Sequence, residues 1–319
     1  MKPSPVALFA YTRAEHLCST VESLSRNTIA KETVLYVFSD GPRTAQDEGK
    51  VEAVRNYVRE IKGFADVNLV TSDQNRGLSA SIVGGVDRVL AKHESLIVLE
   101  DDLATSPFFL QYMNDALRCY QDDQRVVSVH GYMYPVDGSL PETFFIRGAD
   151  CWGWATWRRG WKVFNSDGRA LLREIKRRRL TRSFNLNGAF NYLQILQDQV
   201  VGRNDSWAIR WHAAAFLADM VTLYPGRSLV QNLGTDGSGT HFKASSNQFD
   251  TEISNSPVDV RKIEAVEDEE VVGRLSAYYR KSKGGFLPRV CRRIARILRQ
   301  DIPDALRLSR STNNSVDRR

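Results

Sequence analysis

Three carboxylates stand side by side at Glu100, Asp101 and Asp102, directly behind the apolar run 96–99. Adjacent like charges raise one another's energy, and a cation relieves that cost. An apolar run bounded by polar residues reads as a short strand buried on both faces, the habit of parallel sheets covered by helices. The acids then lie at the strand's C-terminal edge, where open α/β sheets bind their ligands. Two readings stay open for the triplet: a metal site, or a solvated strand end whose residues cap the helix expected from about Pro107. Single acids, Asp40 and Asp73, follow two earlier strand patterns. Gathered at one sheet edge, these acids could place a nucleotide and a divalent ion bridging its diphosphate. A diphosphate leaves poorly until its charge is neutralised. A transfer from it also needs a carboxylate, well away from the metal, to deprotonate the incoming hydroxyl.

The elements that must position these groups are legible as alternating periods. "VALFAY" reads as a strand, "HLCSTVESLSRN" as a helix with Leu17, Val21 and Leu24 on one face, and "TVLYVFSDG" as a strand ending in an acid. "VEAVRNYVREIK" is helical through Val51, Val54 and Val58, and "ADVNLVTSD" gives a third strand. "NRGLSASIVGGVDRVLAKHE" carries Leu78, Ile82, Val86 and Val89 at helical spacing before the strand that runs into the triplet. Strict alternation of strand and helix implies right-handed crossovers and a parallel sheet. The predicted class is α/β: a Rossmann-like mixed, mostly parallel sheet flanked by helices, with a C-terminal helical extension.

Beyond residue 125 the pattern changes. "VVSVHGYMYP" and "TFFIRGAD" read as further strands, followed by "CWGWATWRRGW". Its tryptophans are either a local hydrophobic core or flat plates, Trp152 and Trp154 among them, for stacking on sugar rings. "DGRALLREIKRRRLTRSF" suggests a basic helix with a solvated face. In "NDSWAIRWHAAAFLADM" either Asp205 or Ser206 can cap a helix that turns apolar at Ala213. "QNLGTDGSGTHF" is loop-like, its glycines able to approach phosphates closely, with Asp236 and His241 nearby. Residues 244–270 are polar and acidic and are expected to form an irregular surface connection.

A chain of 319 residues, 42% hydrophobic, can bury a sizeable core. Its net charge of +6 points to anionic partners. Four cysteines (Cys18, Cys119, Cys151, Cys291) stand far apart without zinc or disulfide spacing, as expected of reduced thiols in a cytosolic protein. No apolar stretch has the length of a leader segment or a membrane span. Near the C-terminus Leu287, Val290, Cys291, Ile294, Ile297 and Leu298 form one helical stripe opposite Arg289, Arg292, Arg293, Arg296 and Arg299. Such a helix either lies on an anionic membrane surface, through residues 285–300, or docks on its own protein. Basic residues at 177–179 and in the tail come with no nucleic-acid recognition fold, so no nucleic-acid partner is expected.

Taken in order, "FAYTR", "SDG", "IVLEDDLATSPFFLQYM", the Trp-Gly-Trp segment and "NDSWAIRW" resemble the nucleotide-sugar glycosyltransferases of the A-type fold. Within that group the chain is most similar to bacterial family 2-type enzymes and the animal N-acetylglucosaminyltransferase I family. The resemblance implies a catalytic domain over 1–243, with a nucleotide-binding half (1–125) and an acceptor-binding half (126–243). An irregular connection (244–270), a basic helical extension (271–310) and a disordered tail (311–319) would follow. It implies that Asp102 holds Mn²⁺ or Mg²⁺ on the donor's diphosphate, with Asp101 near the ribose and Glu100 near the donor sugar. Arg13 and Asp40 would line the nucleotide pocket. Asp205 would be the general base, in a Asp-Ser-Trp sequence where the animal family has Asp-Asp-Trp. Trp207 would shape the acceptor site, and His241, in the late glycine-rich loop, would reach the metal or diphosphate. The activity implied is inverting transfer of a hexosyl or N-acetylhexosaminyl group, from a UDP-linked donor, to a glycan or lipid-linked hydroxyl. Its expected setting is surface-polysaccharide synthesis, in the cytoplasm or on the inner face of the cell membrane. The competing readings are a carbohydrate-binding protein on a transferase fold and a sugar-phosphate nucleotidyltransferase. The latter's usual glycine-rich first turn is replaced here by "AYTRAEHL".

Overall fold

A computed structural model of the chain describes residues 2–234 and 249–282. Strand β1 (Val6–Ala10) is buried along its whole length. Its alternation serves two faces: Val6, Leu8 and Ala10 pack with Leu17, Val21 and Leu24 of helix α1 (Ala14–Ser25), while Ala7 and Phe9 pack with Ile82, Val86 and Val89 of helix α3 (Leu78–Leu90). Between those helices come β2 (Val34–Ser39), α2 (Glu48–Glu60) and β3 (Asp66–Thr71), and after them β4 (Ser95–Glu100). The four strands lie parallel in the order β3-β2-β1-β4, so the predicted βαβ alternation is what the first hundred residues build.

The second half enlarges the same sheet. A short β5 (Leu103–Thr105) leads to α4 (Phe109–Cys119), then β6 (Val126–His130), β7 (Thr143–Arg147) and β8 (Trp154–Trp157). Helices α5 (Arg158–Trp161), α6 (Gly168–Arg177), α7 (Thr181–Phe184), α8 (Tyr192–Val200) and α9 (Trp207–Leu217) precede β9 (Val221–Pro225) and β10 (Val230–Asn232). The full order is β3-β2-β1-β4-β8-β6-β9-β7, with β5 and β10 paired separately as a two-stranded antiparallel ribbon. β6 and β9 run parallel, whereas β8 is antiparallel to β4 and β6, and β7 to β9. The sheet is therefore mixed, with its parallel block at the N-terminal half.

The tryptophan-rich segment thus contains a central strand, which the sequence did not announce. Its alternation divides the aromatic load: Ala155 and Trp157 join the core under α4, and Trp154 joins the core under α3 and α9. Residues 249–268 are irregular, as expected, but stitched down: the Tyr120 hydroxyl donates to the Arg261 carbonyl (3.1 Å) and accepts from the Ile263 amide (3.0 Å). Helix α10 (Glu269–Ser282) opens the extension and docks Val271, Val272, Leu275 and Tyr279 on Phe144, Ile146 and Tyr224 of the sheet edge. The basic helix at 285–300, Cys291, the tail 311–319 and His241 lie outside the described residues. Cys18, Cys119 and Cys151 are free thiols. No described helix is long and apolar enough to cross a membrane.

Candidate functional site

The triplet begins on the last residue of β4, at the C-terminal edge of the parallel block. Two contacts fix its backbone: the Thr20 hydroxyl of α1 donates to the Asp101 carbonyl (2.8 Å), and the Leu233 amide, just past β10, donates to the Asp102 carbonyl (2.7 Å). Arg13, the residue before α1, brings a guanidinium over the acids. Its Nη2 donates to Asp101 Oδ1 and to Asp102 Oδ2, the latter at 2.8 Å. Burial, then Asp102 and Asp101, push the Glu100 carboxyl up to about 8. Burial raises Asp101 to about 6, with Arg13 opposing and Asp102 assisting. For Arg13, the pull of Asp101 and Asp102 outweighs burial and leaves it firmly charged.

Two features mark the surroundings of the acids. Arg13 Nη1 is buried without a hydrogen-bond partner, an unmet donor beside the acids. Gly234 passes so close that a Cβ there would collide with Asp102 Oδ2 and lie 3.2 Å from Arg13 Nη1. Only a glycine fits at that approach, and it begins the glycine-rich loop noted in the sequence. Among the described residues no three His, Cys, Asp or Glu side chains converge as a ready-made metal cage. The donor set instead suits a hard ion of the Mg²⁺ or Mn²⁺ kind, which needs one or two carboxylates and completes its shell with phosphate and water.

Asp40 is at the same edge, after β2, but its carboxylate is spent on the backbone. It accepts from the amides of Gly41 (2.9 Å), Arg76 (2.9 Å) and Gly77 (2.9 Å). Gly77, at φ +78°, is the residue before α3, so Asp40 holds the turn that launches that helix. The carboxylate expected to line a nucleotide pocket is thus committed to the backbone of this turn. Arg55 supports the neighbouring edge by donating to the Ser72 carbonyl (2.7 Å).

Asp205 precedes α9, and Ser206 rather than Asp205 is the cap, its hydroxyl accepting from the Ile209 amide at 3.2 Å. The Asp205 carboxylate is therefore left exposed (74%), paired with Arg210 at 3.2 Å. Arg210, itself 9% exposed, donates to the Ser79 hydroxyl in the first turn of α3. That link ties Asp205 to the helix whose entry Asp40 holds, so the candidate base stands at the triplet's edge of the sheet. Arg210 was not anticipated, although an arginine within the apolar α9 pattern is a readable signal of a buried polar contact.

The tryptophans divide. Trp154 (1% exposed) and Trp207 (3%) are buried against each other at 5.5 Å, with Trp161 and Trp211 completing the cluster. Their faces are covered, so Trp154 is not open for the stacking on a sugar that its sequence suggested; the cluster packs α9 onto β8. Trp152 is only half-buried, edge-on to Tyr132 (4.8 Å) and Phe249 (5.4 Å). Its amide donates to His130 Nε2 at 3.1 Å.

No protein-family model and no curated protein matches the chain. Solved structures show limited likeness, among them the following three. S. aureus TarS is 19% identical over 46% of this chain and 24% of its own, with a TM-score of 0.31. The mannosyltransferase PcManGT from Pyrobaculum calidifontis, in complex with GDP-Man and Mn²⁺, is 16% identical over 40% of this chain and 35% of its own, at 0.31. A UDP-glucose pyrophosphorylase complexed with UDP-glucose is 11% identical over 70% of this chain and 91% of its own, at 0.36. The chain spans about a quarter and a third of the first two. Likenesses of this size bear on neither family nor activity, and the ligands are those proteins' own.

Proposed function

We propose that the protein is a metal-dependent glycosyltransferase of the A-type fold that moves a hexosyl or N-acetylhexosaminyl group from a nucleotide diphosphate sugar to a hydroxyl, with inversion. The observation that carries this reading is the edge where the triplet, the unmet Arg13 donor and the Gly234 approach meet. In this reading residues 1–125 hold the donor and 126–243 the acceptor. Arg13 Nη1 is the protein donor available to a phosphate oxygen, and Asp102 is the ligand offered to Mn²⁺ or Mg²⁺. Such an ion supplies charge neutralisation of the departing diphosphate. Asp101 and Glu100 turn their carboxyls toward the ribose and donor sugar. Trp152 is the aromatic face left for the acceptor, and His241 is assigned to the metal or diphosphate.

Chemistry then follows from the acids. Asp205 takes the proton of the acceptor hydroxyl as its oxygen attacks the anomeric carbon. The bond to the diphosphate breaks on the opposite side, and its electron pair leaves with the nucleotide, through an oxocarbenium-like transition state. The proposed acceptor is a glycan or lipid-linked saccharide in surface-polysaccharide synthesis at the inner membrane face. Residues 285–300 would rest on its anionic lipids, and co-sedimentation with anionic vesicles, with and without residues 285–319, checks that part.

The deciding experiment offers purified protein a panel of UDP-, GDP- and dTDP-sugars with Mn²⁺ and follows binding and nucleotide diphosphate release. One donor that binds, and is slowly hydrolysed, only without EDTA is the expected outcome. Asp102→Ala should remove that metal-dependent binding. If no donor binds with any divalent ion, the reading fails, and a carbohydrate-binding protein becomes the better description.

A further inference from the structure

Between α9 and α10 a cavity of about 70 Å³ is lined by Asp150, His212 and four tyrosines, Tyr134, Tyr192, Tyr224 and Tyr279. Asp150 Oδ2 accepts from the hydroxyls of Tyr134 (3.2 Å) and Tyr224 (3.4 Å), and Oδ1 from the Cys151 amide (2.8 Å). The rings of Tyr192 and Tyr279 complete the wall around this carboxylate. His212 Nδ1 is 2.9 Å from the Ala149 carbonyl, an acceptor, so Nδ1 carries the ring proton there. Burial holds this imidazole below its ordinary pKa, so it is neutral near pH 7 and its Nε2 is an acceptor.

The polar wall of the cavity is therefore rich in acceptors, and its apolar wall is made of π faces. The ring of Tyr192 lies 4.5 Å from that of His212, and Tyr134 is 5.4 Å from Tyr279. The charge is negative as well. Arg147, which also lines the space, is turned away to Asp219 (3.2 Å) and the face of Phe216 (4.2 Å), leaving Asp150 to the tyrosines. Phenol protons that already serve Asp150 are not available to a ligand's lone pairs. A neutral sugar needs donors as well as acceptors. A cation carried on a small alkyl group satisfies all the constraints: charge for the carboxylate, N–H donors for the acceptors, and attraction to the aromatic faces.

We propose that this tyrosine-lined cavity is a binding site for a small organic ammonium group, with Asp150 as its counter-ion. The site does not depend on the transferase reading. It adjoins the triplet through one residue: burial, then Asp150 and Glu100, push the Cys151 thiol up, so that side chain feels both acids.

The test is titration of the full-length protein with ethylammonium chloride and, separately, with ethanol and with glucose. It is read by calorimetry and by ¹⁹F NMR of 3-fluorotyrosine-labelled protein. Saturable ethylammonium binding that shifts the cavity's tyrosine resonances is expected, with neither neutral compound doing so. Asp150→Asn, which keeps the size and the acceptor for Cys151, should weaken binding at least about tenfold, the scale of a lost charge partner. Asp102→Asn should leave it unchanged. Equal response to ethanol or glucose, no saturation by ethylammonium in the wild type, or undiminished binding in folded Asp150→Asn overturns the proposal. Should Asp150→Asn not fold, the wild-type comparison of charged and neutral ligands decides alone. Donor binding is read separately, so failure here leaves the proposed function standing.

Discussion

At the residue scale, the centre of the site is a contest over Asp102. Arg13 Nη2 holds one of its oxygens at 2.8 Å, and Gly234 closes against the same oxygen. Gly234→Ala should therefore push the loop off the acid. Donor affinity in the presence of Mn²⁺ is expected to fall at least about tenfold, while thermal stability drops by an overpacking cost of about 1–3 kcal/mol. Parallel donor titration and thermal melts separate the two effects. Asp205 offers a different signature. Its carboxylate is exposed and caps nothing, so Asp205→Asn should leave the fold and donor binding intact yet slow transfer by about 10²–10⁴-fold. Turnover within about tenfold of wild type would remove it from the base role. That Glu100, Asp101 and Asp102 follow an apolar strand, and that Arg13 and Asp205 stand just before helices, was readable from the sequence pattern. Arg210 and Ser79 were not, because a hydrogen bond across 131 residues of chain leaves no local pattern.

At the element scale, β8 and α9 decide what the tryptophans do. A strand antiparallel to both neighbours delivers Trp154 to the centre of the sheet, where Trp207 and Trp211 of α9 meet it at 5.5 and 5.9 Å. Trp154→Ala should cost about 3–5 kcal/mol, the usual loss for a large buried aromatic, measured by denaturant unfolding. Trp152→Ala, half-exposed, should cost far less and show its effect in acceptor use. Four indoles in eleven residues look alike in sequence; alternation along β8 and the position of its neighbours assign one to the surface and three to the interior. The helix-forming stretch of α9 was legible through its Ser206 cap and apolar run, and the cap residue left open by the sequence resolves in favour of the shorter side chain.

At the scale of the whole molecule, buried histidines link stability to acid. Burial lowers the pKa of His130 and of His212, so below the ordinary value of 6.5 the unfolded chain binds more protons than the folded one. Stability is then full above about pH 6.5 and falls as the pH drops, by up to about 1.4 kcal/mol per pH unit for each histidine. Protonating His130 at Nε2 also removes the acceptor that holds the Trp152 amide. Glu100 acts with the opposite sign, since its raised value costs stability as the pH rises from about 4.5 to about 8. The comparison is therefore made between proteins: urea unfolding at pH 7.5 and 5.5 should show a smaller acid loss in His130→Gln than in wild type.

The sequence by itself determined the parallel block and the site's acids. Period-2 strands alternating with 3.6-period helices allow only a covered parallel sheet, and acids placed directly after such strands must fall at one edge. It also narrowed the start of α9 to Asp205 or Ser206, because a cap is a local interaction. Only the tertiary structure decided which tryptophans are buried, that Asp40 is committed to the turn before α3, and that Asp205 is tied to α3 through Arg210. Each of these depends on strand direction or on contacts between distant segments, and a one-dimensional pattern specifies side-chain period without specifying which neighbour lies across the sheet.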